Sequence, residues 1–238
     1  MVQTFIAADT PSLAEQVRFV RSQTVISCPP LVPELRLHLA GEVTPLWHAT
    51  ERELDRSGLP PPYWAFAWPG GQALARLVLD RQQLVRGRRV LDFAAGSGLA
   101  AVAAMRAGAA AATASEIDLF ACAAVLLNAE SNGVAASVHL GDVTESEAGG
   151  WDVILAGDVC YERPMAERAF AWLSRRAAEG TLVLMGDPGR AYLPAGLREI
   201  ARFVVPTSRD LEDREQRETR IFQLDAQAAS TTRSSTIR

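Results

Sequence analysis

The sequence has few of the residues that form disulfide frameworks and metal sites. Its 238 residues include three cysteines and three histidines, and their spacing matches no zinc-binding pattern. Cys28, Cys122 and Cys160 are odd in number and far apart, as is typical of a protein in a reducing compartment. We therefore expect these cysteines to serve mainly in packing, and we assign no metal site.

The sequence also lacks long apolar runs and an excess of positive charge. No apolar run approaches the roughly 18 residues of a membrane-spanning helix. Residues 1–6 have no basic segment leading into an apolar one, as a secretory signal would. With 24 basic and 28 acidic residues the formal net charge is −4, which gives no general attraction for a nucleic-acid backbone. These features predict a cytoplasmic protein without membrane or direct nucleic-acid contacts.

From residue 88 onward the chain shows alternating strand and helix patterns. Hydrophobic residues make up 48% of the sequence, which is enough for one large domain. The strand patterns cover residues 90–93, 111–115, 137–140, 153–156 and 181–185, and the helix patterns cover residues 99–107, 119–131 and 165–178. This alternation predicts a doubly wound α/β domain, with a mostly parallel sheet and helices on both faces.

The end of the domain is expected to differ from this pattern. After a short helix near Leu197, residues 202–205 and 220–224 form two further strand patterns, joined by the charged residues 209–218. Neighbouring strands with a short connection can pair antiparallel, which brings the expected sheet to seven strands. The mixed charges of the connection are typical of a solvated loop, with a protein-docking edge as the alternative.

The chain is expected to divide into three parts. Residues 1–58 form an N-terminal accessory region, and the run Leu59-Pro60-Pro61-Pro62 then interrupts regular structure. This run marks the start of the main domain, residues 59–224. Residues 225–238 are small and polar, which predicts a disordered tail.

A glycine loop after the first strand of the main domain carries the strongest functional signal. The strand bears Asp92 near its end, and Gly96 and Gly98 follow before an alanine-rich helix. Small residues let a ligand approach the backbone, and free N–H groups at a helix start attract its anionic part. Residues 96–101 also satisfy the G-x-G-x-x-A form of a dinucleotide fingerprint, so a nicotinamide-dependent oxidoreductase is an alternative.

Two further acids follow the next two strands. Glu116 lies 24 residues after Asp92, and Asp142 follows the strand at 137–140. Because consecutive parallel strand ends lie side by side, these acids are expected to face one crevice. S-adenosylmethionine carries an α-ammonium group and no phosphate, whereas a carboxylate would repel a pyrophosphate. The three acids are expected to serve the ammonium group, the ribose hydroxyls and the adenine amine, respectively, with a helix or turn cap as the alternative for Asp142.

In these residues the chain resembles the class I, seven-strand S-adenosylmethionine-dependent methyltransferases. Their motif D/E-x-G-x-G-x-G matches Asp92, Gly96 and Gly98, with Ala94 in place of the first glycine. The resemblance covers about residues 88–224. It implies a Rossmann-like sheet, S-adenosylmethionine as cofactor, and a cofactor site that includes Ala94 and the two glycines.

A second motif follows the fourth strand. Gly157-Asp158-Val159-Cys160-Tyr161 resembles the D-x-x-Y motif of the protein-lysine methyltransferase branch of that superfamily. A lysine amine is protonated at neutral pH, and only its neutral form attacks a methyl group. Asp158 is expected to bind and orient the incoming ammonium group, Tyr161 to contact the same nitrogen, and Gly157 to border the cofactor. In the alternative, Asp158 caps the helix after Arg163 and Tyr161 only packs.

Residues 63–68 contain four aromatic side chains, a cluster that taken alone is more typical of a core. Residues 59–75 and 31–39, however, look like the same segments of the electron transfer flavoprotein β-subunit lysine methyltransferases. That resemblance implies that Trp64 borders the mouth of the site, and it assigns four residues to the cofactor: Trp68, Gly70, Gly71 and Gln72.

The resemblance implies a protein-lysine N-methyltransferase that acts on a folded protein, with the electron transfer flavoprotein β subunit as the first candidate substrate. A ribosomal protein is an alternative substrate, since related methyltransferases act on those. A protein that binds the cofactor but has lost turnover is a further alternative, against which the intact Asp158 and Tyr161 argue.

Overall fold

The computed structural model describes residues 12–41, 61–146, 149–207, 212 and 214–225. The expected domain boundary at residue 59 and nearly all of the expected tail lie outside these residues. The division of the chain into three parts therefore stays a prediction.

The N-terminal part consists of helix α1 (Leu13–Gln23) and a hairpin of strands β1 (Val25–Ser27) and β2 (Leu37–Leu39). Ser12 begins α1, because its hydroxyl accepts a hydrogen bond from the N–H of Glu15 while the Glu15 carboxylate accepts one from the N–H of Ser12. The hairpin and α1 both pack against a helix of the main domain, so they extend the same body.

Seven strands form the central sheet, as the sequence predicts. They are β3 (Arg89–Phe93), β4 (Ala111–Glu116), β5 (Ser137–Leu140), β6 (Val153–Gly157), β7 (Leu182–Asp187), β8 (Arg198–Pro206) and β9 (Gln216–Leu224). Their order across the sheet is β5-β4-β3-β6-β7-β9-β8. Strand β9 runs antiparallel to both its neighbours, and the other pairs are parallel. The parallel strands therefore end at one common edge, where the motif residues lie.

Helices cover both faces of this sheet. They are α2 (Pro69–Asp80), α3 (Leu99–Arg106), α4 (Leu119–Ser131) and α5 (Arg163–Ala178). The first three contribute apolar side chains to one core, whereas α5 buries Trp172 and Leu173 with Leu91 of β3 on the other face. The predicted doubly wound α/β architecture is confirmed. Among the described residues, no helix has the length and apolar character needed to cross a bilayer.

Two elements differ from the expectation. The short helix predicted near Leu197 is wrong, because turns precede β8 and the strand begins at Arg198, where it pairs with Gln223 of β9. Pairing across the sheet outweighs the local helical preference there. The sequence shows a helix pattern over residues 73–80, whereas helix α2 already begins at Pro69. A proline without an N–H suits the first turn of a helix, where that donor has no partner.

Candidate functional site

The loop between β3 and α3 passes through the left-handed backbone region at three residues. The φ angle is +51° at Ala94, +54° at Gly96 and +71° at Gly98. A Cβ atom on Gly98 would lie 2.8 Å from Val125 Cγ2, so both the backbone and the available space require glycine there. Ala94 adopts the conformation that the first glycine of the motif would provide. This costs an alanine roughly 1–2 kcal/mol, which the loop tolerates.

Asp92 and Glu116 lie at the carboxyl ends of the neighbouring strands β3 and β4. Asp92 is buried, and its Oδ2 accepts a hydrogen bond of 2.8 Å from the N–H of Ala101 in α3. Glu116 Oε1 accepts a bond of 2.5 Å from the N–H of Gly96, and Oε2 accepts one of 3.2 Å from the N–H of Ile117. The structure thus brings both acids to the glycine loop.

Both of these carboxyl groups have raised pKa values. Burial raises the pKa of Asp92 to about 8, and the charge of Glu116 adds to this increase. The hydrogen bond from the N–H of Ala101 lowers the pKa and only partly offsets the effect of burial. Burial also raises the pKa of Glu116 to about 7. In the described part of the chain neither acid forms an ion pair. A ligand with a cationic group and hydroxyl groups would therefore fit this pair of acids.

Asp142 follows β5 but is engaged differently. Its Oδ1 accepts hydrogen bonds from the N–H and hydroxyl of Thr144 at 2.9 and 2.6 Å, and its Oδ2 pairs with Arg168 of α5. Burial would raise the pKa of Asp142, but these hydrogen bonds and the Arg168 charge lower it below its ordinary value. The carboxylate is thus already neutralised by protein groups. Its predicted contact with adenine stays a prediction.

Asp158 follows β6 and binds the first turn of α2. Its φ angle is +56°, and its buried Oδ2 accepts hydrogen bonds from the N–H groups of Gly70 and Gly71 at 2.6 and 3.2 Å. Its Oδ1 accepts a bond of 3.0 Å from Arg190 Nη2. The alternative that it caps the helix after Arg163 is wrong, because the N-cap residue of α5 is Glu162 and no side chain caps this helix. Asp158 therefore holds the segment assigned to the cofactor and keeps one oxygen for a cation.

Three glycines, Gly70, Gly157 and Gly186, allow α2 to touch the strand ends, and a Cβ atom on Gly186 would lie 2.5 Å from the carbonyl oxygen of Gly70. A Cβ atom on Gly70 would lie 2.3 Å from the carbonyl oxygen of Gly186, and one on Gly157 would lie 2.8 Å from the nitrogen of Gly71. These glycines are therefore needed for packing, whatever they contact in the cofactor. A Cβ atom on Gly71 would have no neighbour within 4 Å. Gly71 is thus the glycine of this segment with an open side.

The aromatic segment divides between core and surface. Trp64 is only 3% exposed and lies beside the ring of Phe120, with ring centroids 6.2 Å apart. The assignment of Trp64 to the mouth of the site is therefore wrong, because residues of α1 and α4 cover it. Tyr63 is 45% exposed and Tyr161 36% exposed, and their ring centroids are 5.5 Å apart. This tyrosine pair is the exposed aromatic feature next to Asp158.

Trp68 and Gln72 flank the start of α2. Trp68 Nε1 donates a hydrogen bond of 2.8 Å to the carbonyl of Tyr63, which holds the tyrosine segment beside the helix. Gln72 is buried, with Oε1 accepting from the N–H of Leu31 and Nε2 donating to the carbonyl of Ala67. The side chain of Gln72 thus joins the N-terminal part to the site. A direct role of either residue in cofactor binding stays a prediction.

The sequence reasoning missed Arg190 and Glu212. Arg190 pairs with Asp158 and with Glu212, which is buried and also accepts a bond of 2.9 Å from Arg217 Nε. Arg190 follows β7 in a turn that Asp187 closes, since Asp187 Oδ1 accepts from the N–H groups of Gly189 and Arg190. In the sequence, the acid Asp187 at the end of the fifth parallel strand was the feature that could have indicated this part of the site.

The sequence reasoning also missed Asn128 of α4. Its Oδ1 accepts a hydrogen bond of 2.7 Å from the N–H of His38 in β2, and its Nδ2 donates one of 2.8 Å to the carbonyl of Ser97 in the glycine loop. A single buried amide therefore ties the N-terminal hairpin to the glycine loop. An asparagine inside a helix of apolar residues was the only signal in the sequence.

Comparison with known proteins agrees with this geometry. The family model of the ribosomal protein L11 methyltransferase (PrmA) matches residues 73–160. The electron transfer flavoprotein beta subunit lysine methyltransferase of Xenopus laevis is 42% identical over 175 residues, covering 73% of this chain and 70% of that protein. The protein of the same name from Danio rerio is 38% identical over 191 residues, covering 77% and 73%.

A solved structure shows the same fold. The crystal structure of Thermoplasma acidophilum 1320 matches with a TM-score of 0.50 and 17% identity, covering 66% of this chain and 89% of that chain. The oxidoreductase alternative is set aside, since the comparisons support S-adenosylmethionine as the cofactor. With relatives this similar over more than two thirds of their length, the chain belongs to the electron transfer flavoprotein β-subunit lysine methyltransferase family of class I S-adenosylmethionine-dependent methyltransferases.

Proposed function

We propose that this enzyme methylates lysine side chains of the electron transfer flavoprotein β subunit. The observation that carries the proposal is the similarity to relatives of that name over about three quarters of the chain. The D-x-x-Y residues support the reaction, because Asp158 and Tyr161 lie together at the end of β6. A carboxylate and an aromatic ring are groups that bind a lysine side chain.

The cofactor side of the site would be formed by the glycine loop with Asp92 and Glu116. When bound, S-adenosylmethionine supplies an electrophilic methyl group. The raised pKa values of the two acids support this assignment, because a ligand cation would favour their charged forms. We infer that Glu116 accepts hydrogen bonds from the ribose hydroxyls and that Asp92 faces the ammonium group. The open side of Gly71 supports its place at the same ligand.

The acceptor side would be formed by Asp158, Tyr161 and Tyr63. We infer that Asp158 Oδ1 receives the lysine nitrogen while the two tyrosine rings flank the aliphatic part of the side chain. Burial, with Tyr63 and nearby acids, raises the pKa of Tyr161 to about 12, so its hydroxyl stays protonated at neutral pH. Because only a neutral amine accepts a methyl group, catalysis would come mainly from positioning and desolvating that amine.

A ribosomal protein is the second candidate substrate. The match of residues 73–160 to the ribosomal protein L11 methyltransferase family supports it. That match covers the glycine loop and Asp158, ends one residue before Tyr161, and does not include β8 and β9. It therefore supports the shared chemistry more strongly than the choice of substrate.

The test is to incubate the enzyme with isotope-labelled S-adenosylmethionine and an unmethylated cell extract, and to identify the labelled proteins. The 238 residues contain no lysine, since all 24 basic residues are arginine, so labelled lysine peptides must come from other proteins. We expect the label on lysines of the electron transfer flavoprotein β subunit. Label on ribosomal protein L11 instead would favour the second candidate, and an absence of labelled lysine would contradict both.

A further inference from the structure

Arg190 lies between two buried carboxylates on the acceptor side of the site. Its guanidinium group binds Glu212 through both terminal nitrogens, with Nη2 2.5 Å from Oε1 and Nη1 3.2 Å from Oε2. It binds Asp158 through Nη2 alone, 3.0 Å from Oδ1. Paired N–H donors on one carboxylate form the stronger arrangement. The contact with Asp158 is therefore the easier of the two to break.

The oxygens of Asp158 have different partners. Oδ2 is held by two backbone N–H groups of α2, which belong to the helix and do not leave. Among the described residues, the hydrogen-bond partner of Oδ1 is Arg190. Oδ1 is also the oxygen that we assign to the lysine nitrogen. The two cations would thus compete for one atom.

The surroundings of Arg190 already resemble a binding site for a cation. Its guanidinium carbon lies 5.7 Å from the centroid of the Trp68 ring, in addition to the two carboxylates. Trp68 and Glu212 also line a cavity of about 290 Å³, so the Glu212 side of the ion pair borders open space. If Arg190 leaves Asp158, its charge remains compensated by Glu212, so no unpaired buried charge is created.

We propose that Arg190 is a stand-in for the substrate: its guanidinium occupies Asp158 Oδ1 until the lysine ammonium group displaces it, and Arg190 then remains on Glu212. The inference rests on the proposed role of Asp158. It makes Arg190 a positioning residue that keeps Asp158 charged and oriented without substrate, at the expense of substrate affinity. Burial raises the pKa of Asp158 to about 6, and the charge of Arg190 keeps it from rising further. The charges of Asp187 and Glu212 add to the increase.

The test measures how tightly the site binds n-butylammonium, a mimic of the lysine side chain. The enzyme is saturated with S-adenosylhomocysteine, and binding is followed by NMR titration at about pH 8.5, below the amine pKa of about 10.4. We expect Arg190→Gln to bind the probe at least about threefold more tightly than the unsubstituted enzyme, because no guanidinium group then competes for Asp158 Oδ1. Glu212→Gln should weaken binding, because Arg190 then has Asp158 as its principal partner.

Arg217→Gln is the matched control. It removes another guanidinium group from Glu212 without touching Asp158, so probe affinity should change by less than about twofold. In turnover with the protein substrate, Arg190→Gln should lower KM more than it changes kcat, whereas loss of a merely structural contact would lower kcat. The opposite signs expected for Arg190→Gln and Glu212→Gln separate competition from general damage. If Arg190→Gln does not fold, the Glu212→Gln arm decides alone.

Unchanged or weaker probe binding by Arg190→Gln, unchanged or tighter binding by Glu212→Gln, or no binding in any form would each overturn the proposal. The proposed function fails separately. If the enzyme methylates no lysine but the affinities change as expected, the stand-in role survives without the substrate assignment. If lysines are methylated but the affinities do not change, only the stand-in role is wrong.

Discussion

The buried acids on the cofactor side and on the acceptor side of the sheet edge have different partners. On the cofactor side, Asp92 and Glu116 accept hydrogen bonds from backbone N–H groups, and in the described chain they form no ion pair. On the acceptor side, Asp158 accepts similar backbone bonds but also pairs with Arg190. Under the proposed assignments, the first pair of acids is left for the charge of the cofactor, and Arg190 occupies the place proposed for the substrate cation.

The largest effect is expected from breaking the acceptor side. Asp158→Ala removes both the oxygen assigned to lysine and the bonds that hold α2, so methyl transfer should fall by about 100-fold or more. Asp158→Asn separates these roles, because its amide oxygen can still accept from Gly70 and Gly71. Single-turnover rates with bound cofactor measure both variants. If Asp158→Asn retains full activity, the carboxylate charge has no role in the reaction.

Substitutions on the cofactor side should lower the affinity for S-adenosylmethionine more than they lower the rate of methyl transfer. Glu116→Gln removes a charged acceptor from the glycine loop, and we expect the affinity for S-adenosylmethionine to fall by about tenfold. Calorimetry measures this directly, with Glu130→Gln of the exposed α4 surface as the matched control. Unchanged affinity would remove Glu116 from the cofactor site. Binding of NAD instead of S-adenosylmethionine would contradict the assignment of the whole side.

The two buried acids of the cofactor side should also make the stability of the enzyme depend on pH. Folding raises the pKa of Asp92 from 3.8 to about 8 and that of Glu116 from 4.5 to about 7. A carboxyl group whose pKa is raised by folding contributes stability below its unfolded pKa, and this contribution is lost as pH rises through its folded pKa. The cofactor-free enzyme should therefore melt at lower temperature as pH rises from about 4 to about 8.

Thermal melting across this pH range provides the measurement, and Asp92→Asn is the control. The variant should show a shallower loss of stability, since Asn does not ionise. Saturating S-adenosylmethionine should also reduce the loss, because a bound cation favours the charged acids. An equally steep pH dependence in Asp92→Asn would show that Asp92 does not contribute to it.

The smallest effect concerns the backbone of the glycine loop. Ala94→Gly relieves an alanine at φ +51°, but it also frees the unfolded chain, so the net change in the free energy of unfolding should stay within about 1 kcal/mol of zero. Ala95→Gly is the matched control, since Ala95 is not at positive φ. This variant should lose about 0.5–1 kcal/mol of its free energy of unfolding. Urea denaturation compares the two. If Ala94→Gly is the more damaging substitution, Ala94 is needed for contacts of its methyl group.

The sequence predicted what local patterns specify and missed what distant contacts specify. The strand periods and the glycine loop are local, so the sheet and the positions of Asp92 and Glu116 followed from the sequence. The burial of Trp64 depends on α1 and α4, which no pattern near residue 64 indicates. The pairing of Arg190 with Asp158 and Glu212 joins residues 32 and 22 positions apart, and it depends on how β6, β7 and β9 bring their adjoining loops together.

The most direct test of the central claim uses one defined substrate. The enzyme is incubated with S-adenosylmethionine and purified, unmethylated electron transfer flavoprotein β subunit, and the intact mass of the flavoprotein subunit is measured before its peptides are sequenced. We predict mass increases in whole methyl groups, located on lysine side chains and absent with Asp158→Ala. An unchanged mass with an enzyme that binds S-adenosylmethionine, or methyl groups on residues other than lysine, would contradict the account.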